Sequence, residues 1–470
     1  MGPAWGGPEL KNLTNMNGQR ETFGSRFAVI MTLAGSAIGL GNIWRFPYMV
    51  GEGGGAAFVL VYLFFSFLFS LPIFMVESII GRRSGANCIG AVRKLAPAGG
   101  VWRLLGFLSV ITPLIIVSYY SVVGGWSLEF FLKSCELTFM KVAPESANSI
   151  FGNFVSGFWG PTICFTAFQA VTCLIVAGGV KKGIEKFSKY SIPVLFVMVL
   201  IVMVFSLSLP GSGKGVEYLV KPDFSKMTFS TLASALGQSF YSLSLGMGII
   251  ITYSSYVSKK ENLAVSGAYT ALFDTLFALM AGFAIMPAVF MAGVKPGTGP
   301  GLLFETLPYI FAKMGLTMPW LSTGAAILFF LTVIISALTS SVSLVEVGVA
   351  YLVEEKNFKR GKAVLIVFLG TWIVGMLCSL SLGPLSDLKI LGKPVFDFLD
   401  MFSSNFLLII GSMLAVLLVG WKMSKKDVWD EFTNGGTLKN NCKIFSVLYF
   451  IIRYVAPFAL LVIFLSNFSF

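Results

Sequence analysis

Residues 34–47 read Ala34-Gly-Ser-Ala-Ile-Gly-Leu-Gly-Asn-Ile-Trp-Arg-Phe-Pro47, in the middle of an otherwise apolar segment. Gly35, Gly39, Gly41 and Pro47 interrupt it, and Ser36 and Asn42 add polar groups. A second stretch of the same kind is Tyr241-Ser-Leu-Ser-Leu-Gly-Met-Gly248, where Ser242 and Ser244 adjoin the glycines. A lone glycine in an apolar helix does no more than let two helices approach. Glycines next to hydroxyl and amide groups predict unwound backbone, which at membrane depth is tolerated only inside protein or along a cavity.

The surrounding chain reads as a membrane protein. Of its 470 residues 56% are hydrophobic and 12% charged, against roughly 25% charged in an average soluble domain. Apolar runs at 56–76, 192–207, 320–338, 363–380 and 406–419 approach the ~20 helical residues that cross a hydrocarbon core. Eleven spans are expected, near 28–50, 56–80, 105–133, 161–178, 190–209, 230–256, 263–292, 320–353, 363–380, 396–421 and 444–467. Residues 1–26 are polar and Gly-rich and lead into a full-length span, so no cleavable signal is expected.

With the N-terminus inside, 23 of the 34 Lys and Arg residues fall on the cytoplasmic side and nine outside, with Arg45 and Arg453 within spans. The positive-inside rule therefore predicts a multi-pass protein of the inner (plasma) membrane, N-terminus cytoplasmic and C-terminus extracytoplasmic. The formal charge of +12 is then a topology signal, and nucleic acid is not an expected partner. The six cysteines show no CxxC or CxxH spacing and read as apolar packing. Histidine is absent, which removes histidine proton relays, His-type zinc sites and Ser-His-Asp hydrolysis.

The two interrupted stretches occupy the first span of each candidate half, spans 1–5 and 6–10. Paired interruptions in corresponding positions point to an inverted-repeat transporter with its site at the repeat interface. Unwinding frees carbonyls for cations and exposes half-helix N–H groups for a carboxylate. The expected fold is all-α, an inverted 5+5 repeat with discontinuous helices 1 and 6 plus one C-terminal span. Its divisions are an N-terminal segment (1–27), a first repeat (28–209), an outer connection (210–229), a second repeat (230–421), a cytoplasmic loop (422–443) and span 11 with the C-terminus (444–470). Arg45, Glu77, Asp274 and Asp400 fall in or at the ends of spans, where charge is rare and usually paired or functional. Ser336, Thr339, Ser340 and Ser341 cluster in span 8. Each can bond its own i−4 carbonyl; beside two broken helices they can instead offer oxygen ligands to a hard cation.

Four stretches, Gly35 to Pro47, Glu52-Gly-Gly-Gly-Ala56, Gly237-Gln-Ser-Phe-Tyr-Ser-Leu-Ser-Leu-Gly246 and Ser336-Ala-Leu-Thr-Ser-Ser341, resemble the neurotransmitter:sodium symporter family. The likeness is to its bacterial amino-acid branch with eleven spans. The resemblance implies import of hydrophobic or aromatic L-amino acids by alternating access, coupled to sodium at two sites, with no organic cofactor. One sodium site would use Ala37, Asn42, Ser242, Asp274 and the substrate carboxylate, and the other Gly35, Ile38, Ser336, Thr339 and Ser340. Tyr120, with N–H groups near Leu40 and Gly41, would take the substrate carboxylate; carbonyls of Ala37, Tyr241 and Ser242, with Ser244, would take the ammonium. Ile116, Tyr120, Tyr241, Met247, Ser341 and Leu344 would form the side-chain wall. Arg45 with Asp400 would be the outer gate and Arg20 with Glu354 the inner one, where the family more often has Asp for Glu354 and Trp for Phe23.

Two positions refine the expectation. Family members that carry amines place an Asp where this chain has Gly39, so the resemblance implies an amino acid. Tyr62, Gln238 and Ser242 match three positions of the family's chloride site, but the fourth is Ala278 and Asp274 replaces an Asn. A fixed carboxylate in place of chloride implies chloride-independent transport. Asp274 then either carries a proton back on the empty return step or only coordinates sodium. Enzyme chemistry is not expected, because Asp274, Glu77 and Ser340 have no base or metal-ligand partner. The alternatives are an ion channel or a non-transporting amino-acid sensor on the same fold.

Overall fold

The Ser25 side chain accepts from the Ala28 N–H and starts a helix over Arg26–Ala37. That helix ends in extended backbone at Ile38, and the chain resumes as a π turn, Gly41–Arg45, followed by a helix over Phe46–Glu52. The two halves are bent by 51° at the break. This is a computed structural model describing residues 21–97, 99–294 and 302–467.

Among the described residues nine helices are long and apolar enough to cross a bilayer, and the bent pair makes a tenth. The expected span 6 is two helices, Phe229–Ser242 and Ile249–Ser254, each too short to cross alone, so a count of eleven rests on joining them. Between them Ser244, Gly246 and Gly248 all take positive φ. Gly246 could hold no other residue without distortion: its φ is +78° and an added Cβ would lie 2.1 Å from the Leu408 carbonyl oxygen.

Spans that read as continuous rods are not all so. Spans 2 (Ala56–Ser84), 10 (Val395–Lys422) and 11 (Lys439–Ser466) contain π turns at Ser66–Ser70, Ser403–Leu407, Leu418–Lys422 and Ile451–Val455. Three of the π turns, counting Gly41–Arg45, end two residues before a proline, at Pro47, Pro72 and Pro457. Proline gives no N–H to the carbonyl four residues back and crowds it, and a widened turn accommodates both effects.

Large apolar side chains stand on the outer surface as well as in the apolar core. Asp274, Ser336 and Glu346 are fully buried, whereas Leu174 and Trp320 are 71% and 74% exposed, as lipid contact requires. Span 3 (Trp102–Cys135) and span 8 (Pro319–Lys356) pack along one another and enclose the broken helices. At one end, rings of Trp126, Phe130, Phe151, Phe304 and Phe330 stack together and seat the short helices Pro144–Val155 and Thr306–Gly315. The opposite end carries Arg82, Arg83, Lys259 and a short helix, Lys425–Thr433; it is called the basic end below. Gly246→Ala should destabilise the protein by ~1–3 kcal/mol through backbone strain alone, plus the carbonyl clash. A melting temperature in detergent equal to that of the wild type would contradict this account of the break.

Candidate substrate and ion site

Both breaks put unpaired backbone groups at the centre of the molecule, and the surrounding side chains answer them. Ile38 ends the first half of span 1, where helix carbonyls lack intrahelical partners and the dipole is negative. Its carbonyl accepts from Thr339 Oγ1 at 2.9 Å and Ser340 Oγ at 3.2 Å. Thr339 also donates to the Ser336 carbonyl at 2.8 Å, and Ser340 to the Ser36 carbonyl at 3.4 Å. Five oxygens from spans 1 and 8 thus meet in a buried pocket. The Ser336 hydroxyl is buried without a partner, and Gly35 lies against Ser188 and Ile192 of span 5.

A second cluster surrounds Asp274, in the middle of span 7 (Leu263–Met291). Asn42 Nδ2 donates to Asp274 Oδ1 at 2.6 Å and to Ser242 Oγ at 3.1 Å. Ser242 Oγ lies 3.0 and 2.8 Å from the two carboxylate oxygens, and Tyr62 Oη 3.5 Å from Oδ2. All three donors are neutral, and among the described residues no cationic side chain lies against this fully buried carboxylate. Gln238 Nε2 donates to the Gly41 carbonyl at 2.8 Å and its Oε1 is unpaired; Ala278 is fully buried nearby on span 7.

Between the clusters lies a cavity of ≈ 20 Å³ lined by Ala37, Gly39, Gly41, Ile116, Tyr120, Tyr241, Ser244, Met247, Ile249, Ser340 and Leu344. The Leu40 N–H donates to Tyr120 Oη at 3.0 Å, and the Gly39 N–H to Asn42 Oδ1 at 3.0 Å. Ser244 Oγ donates to the Ser36 carbonyl at 2.7 Å, tying one break to the other. Tyr241 also borders a larger cavity, ≈ 420 Å³, that Arg45, Lys393 and Ser404 line. Its ring therefore divides the two, with the Arg45 guanidinium 4.5 Å from its centre.

Two sequence expectations meet a different geometry, those for Ser341 and for Arg45 with Asp400. Ser341 does not line the cavity; its hydroxyl pairs with Thr172 Oγ1 at 2.9 Å and the Leu338 carbonyl at 3.2 Å. One helical position rotates it away from Ser340. Leu40 contributes its N–H to Tyr120, and Ser242 belongs to the carboxylate cluster. Arg45 and Asp400 form no direct ion pair, because Ser404 stands between them, 3.4 Å from Arg45 Nη1 and 3.4 Å from Asp400 Oδ1. Of the expected inner pair, Arg20 lies outside the described residues, and Glu354 accepts from the Asn87 N–H and Nδ2 at 2.8 and 3.0 Å. Ile249 and the cavity role of Ser340 were not read from the sequence, because nothing in an apolar run marks which member faces a break. Glu346, buried and paired with Arg360 at 2.5 Å, was missed although an acid within a span is itself a signal.

The profile of the sodium:neurotransmitter symporter family matches residues 20–146 and 155–469. The chain belongs to that family. A sodium-dependent transporter of Bacillus subtilis (strain 168) is 36% identical over 442 residues, covering 94% of this chain and 96% of the relative. One from Haemophilus influenzae is 34% identical over 466 residues, 97% of this chain and all of the relative. The crystal structure of MhsT in complex with L-phenylalanine superposes with a TM-score of 0.86 at 37% identity, covering 95% of this chain and 100% of that one. The chain is thus a multi-pass, sodium-dependent symporter with a small-molecule substrate, and its relatives are transporters rather than enzymes.

Gly39 leaves no room for a side chain in the symporter's cavity: an added Cβ would lie 2.2 Å from Ser340 Oγ and 2.8 Å from Tyr120 Oη. Gly39→Ala should weaken sodium-dependent ligand binding by ~1–3 kcal/mol, the usual range for overpacking, while leaving folded protein. Equilibrium binding on the purified variant checks this, and unchanged affinity would exclude a site between residues 39, 120 and 340.

Proposed function

We propose that the protein imports hydrophobic or aromatic L-amino acids together with sodium, by alternating access around the cavity between spans 1, 3, 6 and 8. The observation that carries this is the pairing of the Leu40 N–H and Tyr120 hydroxyl above an apolar wall of Ile116, Met247, Ile249 and Leu344. An α-carboxylate fits the first pair, since it can accept from both the N–H and the hydroxyl. The relative MhsT, crystallised with L-phenylalanine, supports a large apolar side chain on the wall. An unbranched methionine repacks readily around different shapes, and one methylene is worth only ~0.8 kcal/mol, so selectivity among large side chains should be shallow.

Sodium is proposed at two sites. At one, Thr339 Oγ1, Ser340 Oγ and the Ile38 carbonyl, with Gly35 and Ser336, supply hard oxygen at the negative end of a half-helix. At the other, Ala37, Asn42, Ser242, Asp274 and the substrate carboxylate would surround the ion; the Asn42 amide must turn to present Oδ1 in place of Nδ2. We place the basic end in the cytoplasm, with the N-terminus, following the lysine and arginine asymmetry. Arg45, Ser404 and Asp400 would then close the outer side above Tyr241.

Uptake of radiolabelled leucine, phenylalanine or tryptophan into proteoliposomes should require a sodium gradient and resist tyramine and tryptamine. Thr339→Val, which removes a ligand at nearly constant volume, should lower sodium affinity and substrate affinity together. Sodium-independent uptake, or preference for glutamate, lysine or glycine, would defeat the proposal; equal competition by the amines would defeat its carboxylate part.

Asp274 carries the second half of the proposal. A buried carboxylate without a cationic neighbour calls for a cation: sodium on the loaded step and, we propose, a proton on the empty return. Chloride beside it would add a second negative charge, so transport should not need chloride. Protons then leave as sodium and substrate enter, and lowering internal pH should speed net uptake by filling the carboxyl on the side where sodium is released. In chloride-free gluconate buffer the wild type should transport normally and respond to internal pH. Asp274→Asn should be slow without chloride, recover in part with it, and lose much of the pH response. Severalfold stimulation of the wild type by chloride would overturn the substitution idea, and an unchanged pH response in the Asn variant would remove Asp274 as proton carrier.

A further inference from the structure

The inner half of span 6, Ile249–Ser254 with the residues after it, makes polar contacts in two directions. Toward span 8, the Tyr253 hydroxyl donates to Ser343 Oγ at 2.9 Å and the Tyr256 hydroxyl to Glu346 Oε1 at 3.0 Å. If this seam parts, Glu346 keeps Arg360 at 2.5 Å, so this buried carboxylate is not left without its cation. Toward span 2 the situation is reversed. Gly81 approaches so closely that an added Cβ would lie 2.1 Å from the Ile251 carbonyl oxygen. The next residue, Arg82, is 2% exposed, and its guanidinium is divided between two segments. Nε donates to Glu431 Oε1 at 2.5 Å, and Nη2 to the Glu431 carbonyl and, at 2.8 Å, Asn434 Oδ1. Nη1 donates to the carbonyl of Glu261, in the loop that leaves span 6, at 2.5 Å. Lys259 of that loop adds 2.9 and 3.1 Å contacts to the Glu431 carboxylate, and Asn434 Nδ2 returns to the Glu261 carbonyl at 3.2 Å.

Pulling the short helix Lys425–Thr433 away from this seam would take Arg82 and Lys259 from a nearly buried carboxylate and leave a buried guanidinium with only the Glu261 carbonyl, a far larger penalty than losing two tyrosine hydrogen bonds. We infer that Arg82, Lys259 and Glu431 are positioning residues that fasten the short helix Lys425–Thr433 to span 2 and the inner half of span 6, so that this helix travels with span 6 when the basic end opens. The parting line is then the neutral one, between Tyr253 and Tyr256 on one side and span 8 on the other. This rests on the alternating-access function proposed above, and it assigns the helix after span 10 to the moving part.

The test uses pairs of spin labels on exposed lysines in a Cys135→Ser, Cys442→Ser background, the remaining cysteines being buried. Lys426→Cys with Lys260→Cys reports helix against loop, and Lys426→Cys with Lys356→Cys reports helix against the end of span 8. Between sodium with L-phenylalanine and sodium-free potassium buffer, the first distance distribution should stay within its width and the second should shift beyond it. Movement in the first pair, or none in the second, overturns the inference; labelled protein without sodium-driven uptake would count instead against the transport function beneath it. As a second measurement, Glu431→Gln should broaden the first distribution and lower the uptake rate ~10-fold or more while sodium and L-phenylalanine affinity hold. Lys259→Arg, which keeps the charge, should behave as wild type. Glu431→Gln uptake equal to wild type would also overturn the assignment.

Discussion

Every buried backbone N–H and C=O needs a partner where no water is available, and the rest of this structure follows from breaking two helices under that rule. An unbroken span satisfies itself. At residues 38–42 and 243–248 the chain gives that up, and other elements must supply what the helix ladder would have. Thr339 and Ser340 reach the Ile38 carbonyl, Tyr120 receives the Leu40 N–H, and Glu77 takes the Gly246 N–H at 2.6 Å. Gln238 covers the Gly41 carbonyl. The groups that close the breaks in this structure are therefore the hydroxyls, amides and carboxylates able to exchange such a bond for a ligand. The proposed site and the fold defect share these residues, as expected where unwound backbone is tolerated only along a cavity.

Buried charge is handled in three distinct ways across the same interior. Arg82 with Glu431 and Arg360 with Glu346 are ion pairs completed by further hydrogen bonds, the form in which buried charge is structurally stable. Arg45 is offset by an aromatic face and a serine instead, an arrangement loose enough to reorganise. Asp274 has only neutral donors. Tight ion pairs hold the frame, the looser arrangement stands at the proposed gate, and the carboxylates bonded among the described residues only by neutral donors, Asp274 and Glu77, stand at the proposed ion site and at the second break.

Much of this was legible in the sequence, and what was not has physical reasons. Glycine and proline spacing announced the breaks at 34–47 and 241–248 because those residues act locally on the backbone. Asp274, Asn42 and Ser242 come together over some 230 residues of chain, and only the resemblance to a known family joined them beforehand. Ser341 illustrates the limit: a run of hydroxyls in span 8 gives the helical period but not its phase, so which neighbour faces the cavity was read one position too generously. The π turns before Pro72 and Pro457 carried a sequence mark, the proline itself, yet proline in a span is equally compatible with a kink. Arg82 sits at the end of its span among other basic residues, where a topology signal and a buried clamp look alike until Glu431 and Glu261 are seen around it.

The short break in span 1 also explains why ion and substrate should depend on one another. Within the five residues 38–42 the chain offers a carbonyl to the span 8 hydroxyls, an N–H to Tyr120, and the Asn42 amide to Asp274. The Gly39 N–H bonds Asn42 Oδ1, so turning that amide toward a cation perturbs the backbone beside Leu40. Neither ligand can settle without adjusting groups the other uses, and coupling free energy between sites is reciprocal. A stretch this short cannot relax independently at its two ends. Cooperative binding then requires no long-range signal, only a segment too tight to satisfy one ligand at a time.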